Sequence, residues 1–330
     1  MLLLTQITPP ILPHSGSELM PEHTSAFRDG LMELIQNALD NVYPELSEVA
    51  GICLSLIAVI LLVSIAGLIP GSRSKTAELV GAVVIGSLLL QNTNSLIHLG
   101  SRTIEDMSNY GKLLLGVMTS ALSAQGGIKT ATALYAGTAL FDTLLSALVT
   151  RLLNPLVYVF LVLSTANAAL GEDLLRKLAD FAKWLTVWLL KTILYIFTGY
   201  MSITGVISGT TDAAALKAAK LTISGVVPVV GGILSDASEA VLVSAGVMRN
   251  AAGIYGILAI LAVFLLPFLR ISCHYMLFRL TGAVCAVFGV KRCTDLITNF
   301  SAAMGLLLAM TGSVCLLQLI STVCFLRGVG

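Results

Sequence analysis

Six ionisable side chains, Asp212, Lys217, Lys220, Asp236, Glu239 and Arg249, stand within residues 205–253, a stretch otherwise dominated by small and apolar residues. Its middle, ISGVVPVVGGIL, carries no charge and holds Pro228, Gly231 and Gly232. Proline removes a backbone donor and glycine weakens a helix, so a break is expected there. The segment is also too short to cross a bilayer, which takes about 20 apolar residues at roughly 1.5 Å each. A re-entrant segment is the expectation, its free backbone groups satisfied by protein or by a water-filled cavity. Charges beside such a break have two chemical uses. Asp212 and Asp236 each open a helix-forming run, where a carboxylate caps free N–H groups and offsets the helix dipole; Glu239 follows Asp236 at capping-box spacing. Alternatively, these acids together with Lys217, Lys220 and Arg249 line a polar path through the membrane. Asp236→Asn separates the two uses, because asparagine caps as well as aspartate but carries no charge.

A sparser set repeats the order. Lys112 with Leu113, and Lys220 with Leu221, each open a short apolar segment that ends in a glycine pair, Gly126 with Gly127 and Gly231 with Gly232. Asp142 and Asp236 follow, then Arg151 and Arg249. Paired, glycine-interrupted short segments in two halves mark the central site of transporter-like folds. Units at 79–170 and 184–290 would then form an inverted repeat; the competing reading is two ordinary helix hairpins. Two carboxylates sharing one proton can hydrolyse a peptide bond, but neither Asp142 nor Asp236 stands in a GxGD context. His14, His23, His98 and His274 are isolated, and HExxH, Walker and GxSxG patterns are absent. The six cysteines form no CxxC or Cys/His ligand set and read as small hydrophobes within apolar runs. No enzyme, cofactor or metal centre is expected from these residues.

The elements that must position these groups follow from composition. The chain is 56% hydrophobic and 11% charged, where soluble domains carry about 25% charge. It reads as an all-α polytopic membrane protein with about eight transmembrane helices and two short broken or re-entrant segments. Residues 1–48 hold seven acids against Arg28, a net of −6 within an overall +1. They form an acidic N-terminal segment ahead of a transmembrane domain at 49–330. Phe27, Leu31, Leu34, Ile35, Ala38 and Val42 share one helical face, giving an amphipathic helix that either lies on its own protein or docks a partner. Spans are expected at 49–69, 79–99, 130–150, 152–170, 184–207, 251–269, 272–290 and 301–326, with a hinge at Arg151 and Pro155. Residues 113–124 are expected to be a short broken segment beyond a polar loop, and 172–183 a charged loop. Gln91 to Ser95, five polar residues in a row, must face protein or water, since interhelical bonds in a bilayer contribute only roughly 0.6–2 kcal/mol each. Trp184 and Trp188 are expected as interfacial anchors, with Lys191 snorkelling toward them. His274 and Arg279 are expected to face protein. No basic run suggests nucleic acid.

The passage SGTTDAAALKAAKLTISGVVPVVGGILSDASEAVLVSAGVMRNAAGIYGI, with its Thr-Asp start, Lys217, Lys220, Val-Pro-Val core, Asp236 turn and Asn250 ahead of Gly253 and Gly256, resembles the matching region of the stage III sporulation protein AE family of endospore-forming bacteria. The resemblance extends from about residue 50 to the C-terminus. It implies a multi-pass protein of the mother-cell membrane surrounding the forespore. It also implies a part in the channel or secretion-like complex between the two cells. The implied partners are other stage III sporulation proteins, among them a secretion-type ATPase and ring-forming proteins that meet a forespore membrane protein; a homo-oligomer is compatible. The acidic N-terminus would lie between the two membranes, with eight spans returning the C-terminus to that side. Family members commonly begin with a signal sequence, whereas residues 1–13 lack a basic n-region and carry Pro9, Pro10 and Pro13. A solute transporter and a structural anchor for the ring proteins remain the alternative functions.

Overall fold

The structure, a computed structural model, describes residues 27–67, 74–124, 128–203 and 251–328, with Pro13, Gly16, Leu19 and Met20. Asp212, Lys217, Lys220, Pro228, Gly231, Gly232, Asp236, Glu239 and Arg249 lie outside the described residues, as do Gly126 and Gly127. The expected re-entrant segment and its capping acids therefore fall outside them, and with them the comparison of the two repeat units.

Among the described residues all secondary structure is helical: α1 Phe27–Gly67, α2 Ser74–Ala124, α3 Ile128–Leu148, a π-helical turn Val149–Leu153, α4 Asn154–Leu170, α5 Asp173–Ile203, α6 Ala251–Cys285 with a 3₁₀ turn Ala286–Phe288, and α7 Lys291–Gly328. Among the described residues, six helical stretches are long and apolar enough to cross a membrane: Phe27–Gly67, Thr76–Ser120, Tyr135–Leu170, Asp173–Tyr200, Tyr255–Phe288 and Lys291–Cys324. The sequence expected about eight spans; among the described residues the expected pairs 130–150 with 152–170 and 251–269 with 272–290 each form one continuous helical stretch.

Four places read as segment boundaries or loops are continuous helix. The amphipathic N-terminal helix and the first span are one helix, α1, whose buried face runs from Leu34, Ala38 and Val42 into Val49, Cys53, Leu56 and Ile60. The polar residues 100–112 do not form a loop, and 113–124 is not a broken segment; both belong to the 51-residue α2. The physical reason is that Ile104, Met107, Tyr110, Leu114, Leu115 and Met118 keep one face buried while Arg102, Glu105 and Asn109 take the exposed one. Residues 172–183 likewise enter the first turns of α5 rather than a loop. The two spans expected at 251–269 and 272–290 are a single helix through Arg270, whose Nε lies 2.8 Å from Glu45 Oε2 of α1. This contact pairs the charges without an aligned hydrogen bond; once its charge is met by protein, Arg270 need not reach water.

True reversals occur where glycine permits them. Gly171 (φ 74°) and Gly289 (φ 75°) adopt the left-handed conformation that other residues resist, closing α4 into α5 and α6 into α7. The core is centred on α7, which packs on α6, α2, α4 and α3. Its 89% buried apolar window contrasts with 22% for α1 at the periphery. Five of its hydroxyls cost little to bury, because Thr294, Thr298, Thr311, Ser313 and Thr322 each donate to a carbonyl four residues back. Five of the six free cysteines are buried and Cys273 is half-buried, in keeping with their reading as hydrophobes. Trp184 and Trp188 stack on the exposed side of α5 with Phe181. His274 is buried as expected, but Arg279 is exposed, donating its Nη1 to Tyr275 OH at 2.7 Å along its own helix.

Candidate functional site

Asp142 is 1% exposed in α3, and both carboxylate oxygens are occupied from other helices. Ser108 Oγ of α2 donates to Oδ2 at 2.5 Å, and Gln318 Nε2 of α7 donates to Oδ1 at 2.6 Å. Lys112, one turn beyond Ser108, is close enough to act electrostatically on the carboxylate. An ionisable side chain in a span is costly unless it finds such partners, and it marks a site by default. Here the arrangement ties three helices through one carboxyl group. Gln318 Oε1 is buried without a partner among the described residues.

Two sequence features make the cluster. Gln318 is the one amide in the apolar run of residues 305–326, so it must find a partner across helices. Gly111 lets it arrive: a Cβ there would fall inside the Gln318 amide. Gly111→Ala is therefore expected to push Gln318 off Asp142 and cost about 1–3 kcal/mol by overpacking. Combining it with Gln318→Ala should cost less than the sum of the single changes. Thermal unfolding of the four purified proteins in detergent measures this; strict additivity would place Gln318 elsewhere.

The cluster is one end of a longer seam. Asn154 Nδ2 donates to Ser101 Oγ at 2.6 Å, and Tyr158 OH donates to Asn94 Oδ1 at 2.5 Å. The α2 members Asn94, Ser101 and Ser108 are seven residues apart, so they drift by only about 20° per step and share a face. Asp142 and Asn154 do not have that spacing. In a regular helix they would point roughly 120° apart at about 100° per residue. The π turn absorbs one extra residue and brings them within roughly 20°. The seam thus exists because the hinge expected at Arg151 is a π turn.

Of the sequence candidates that are described, the structure therefore places Asp142 in the core and Arg151 on the exposed side of the π turn, so it does not unite them. Ser108, Gln318 and Gly111 were not singled out by sequence reasoning; the lone glutamine was the available signal. The five polar residues 91–95 divide: Thr93 is buried, Asn92 half-buried, and Gln91, Asn94 and Ser95 are exposed. No three His, Cys, Asp or Glu side chains gather at metal-binding distance among the described residues.

No solved structure matches the chain. Among curated proteins, stage III sporulation protein AE of Bacillus subtilis (strain 168) is 22% identical over 229 residues, 68% of this chain and 57% of that protein. The chain thus matches little more than half of that relative's length. The family described as stage III sporulation protein AE matches at residues 20–327. That range takes in α1 to α6 whole and nearly all of α7, and the chain belongs to the stage III sporulation protein AE family.

Proposed function

We propose that this protein is a non-enzymatic integral membrane subunit of the mother cell–forespore channel, a secretion-like complex needed for endospore development. It would sit in the mother-cell membrane around the forespore, with a secretion-type ATPase, ring-forming proteins and, through them, a forespore membrane protein as partners. Family membership supports a role in sporulation. The observation that carries the assembly role is the outer face of α1. Met32, Leu39 and Tyr43 are 58%, 54% and 77% exposed, in a helical half that also carries Asp29, Glu33, Asp40, Glu45 and Glu48. Five acids keep this half out of hydrocarbon, so its exposed apolar side chains are suited to protein contact.

Placing a charge in that face should release the partners without unfolding the bundle. Leu39→Glu is expected to keep normal abundance while partner recovery in co-purification from sporulating cells falls at least about tenfold, equivalent to about 1.4 kcal/mol. Unchanged recovery would remove the face from the assembly. Solute uptake by the purified protein alone in liposomes would instead favour a self-sufficient transporter.

A further inference from the structure

The exposed surface of α2 changes character along its length. Leu79, Val80, Val83, Val84 and Leu88 are the exposed apolar residues of its first half, and Leu113 is exposed near its far end. Between Leu88 and Leu113 stand Gln91, Ser95, His98, Arg102, Glu105 and Asn109, all exposed. Their alternating spacing of four and three keeps them on one stripe. Eighteen rises of about 1.5 Å from Gln91 to Asn109 make the stripe about 27 Å long, close to the roughly 30 Å of a bilayer's hydrocarbon.

Contacts between helices show what stands beside it. Glu45 of α1 pairs with Arg270 of α6, whose neighbour Ile271 lies against Gly100 of α2. The acidic half of α1 is therefore level with the stripe. On the other flank, Ser108 is level with Asp142 of α3, and Phe141 packs on Phe197 of α5 with ring centroids 5.5 Å apart. At that same level the exposed side chains are Leu140, Thr143 and Leu144 of α3 and Tyr195 and Ile196 of α5, with the Thr143 hydroxyl donating to Ala139 O of its own helix. One end of the bundle thus has a charged flank, α1 with α2, and an apolar flank, α3 with α5.

A row containing His98, Arg102 and Glu105 does not face lipid, and ionisable residues at membrane depth face protein or a water-filled cavity. We propose that the α2 stripe lines a confined, water-filled path at membrane depth, open to water and small polar solutes, while α3 and α5 at the same level face lipid. The inference rests on the reading of the chain as a channel subunit and names the surface that would serve it. It accounts for why the long α2 carries two kinds of exposed surface and why the polar kind begins where the acidic half of α1 comes alongside.

The test uses single cysteines in the full-length chain, in membranes from sporulating cells, with the native chain as the background for its six thiols. Ser95→Cys changes little in size, and His98→Cys and Asn109→Cys add two further stripe positions; Leu140→Cys and Ile196→Cys report the apolar flank. Each membrane sample receives a small, charged, membrane-impermeant thiosulfonate or a maleimide carrying a long polyethylene glycol chain. The stripe should react with the small reagent and not with the polymer, and the apolar flank with neither. Polymer labelling of the stripe would place it in bulk water and overturn the proposal. Labelling of Leu140→Cys or Ile196→Cys by the small reagent would put the whole end outside the bilayer, with the same consequence. No labelling of the stripe would mean a sealed contact and would also sink it. Co-purification of partners is read separately, so failure of the channel assignment is distinguishable from failure of the path.

Discussion

Asp142→Leu is expected to leave little folded protein, and Asp142→Asn to leave nearly normal amounts. Leucine removes the acceptor of both Ser108 Oγ and Gln318 Nε2. Each buried donor left without a partner costs about 1–3 kcal/mol, so the pair costs roughly 2–6 kcal/mol. That is a large fraction of the ~5–15 kcal/mol by which domains are stable. Asparagine keeps one oxygen in place, and the Ser108 hydroxyl can turn to accept from the new amide. Its expected cost is about 1 kcal/mol or less, the size of one neutral hydrogen bond. Abundance in membranes and thermal unfolding in detergent measure both variants. If asparagine is as damaging as leucine, the negative charge itself holds the site together, and Lys112 rather than Ser108 and Gln318 becomes its principal partner.

Adding one residue to the π turn is expected to be far more harmful than removing one. Deleting Thr150 leaves Asn154 eleven residues after Asp142, a separation that a regular α-helix keeps in phase to within roughly 20°. An alanine inserted after Thr150 rotates α4 by about 100° relative to α3. Asn154 and Tyr158 then leave Ser101 and Asn94. Two interhelical bonds, worth roughly 1–4 kcal/mol together, are lost, and Val157, Phe160 and Leu161 are turned out of the core. A disulfide formed between cysteines at Ser101 and Asn154 reads the phase directly. It should form in the deletion variant and fail in the insertion variant. The reverse pattern would mean that the π turn is not what aligns the seam.

Much of the architecture was legible in local composition. The uncharged run at 49–69 requires a membrane-spanning helix whatever surrounds it, and the acidic, periodically apolar residues before it require an amphipathic one. That both lie on one helix was not legible, because helix continuity depends on whether a buried face persists. It does persist here, from Leu34 to Ile60. Charged and polar residues misled in the same way at 100–112, at 172–183 and at Arg270. Read locally, they suggest reversals in water, yet a partner such as Glu45, far away in sequence, can meet the charge within a continuous helix.

Sequence by itself determined the class, an all-helical chain with several stretches apolar enough to cross a membrane, and the presence of a few ionisable groups that must be paired, capped or wetted. It singled out Asp142 by its place after the Gly126–Gly127 pair, matching Asp236 after Gly231–Gly232, and a carboxylate at membrane depth is costly unless partnered. Only the tertiary structure decided its partners. Ser108, Asp142 and Gln318 lie on three helices and meet through the phase of a π turn and the missing Cβ of Gly111. Composition fixes what must be satisfied, whereas helix phase and packing distance fix which side chain satisfies it.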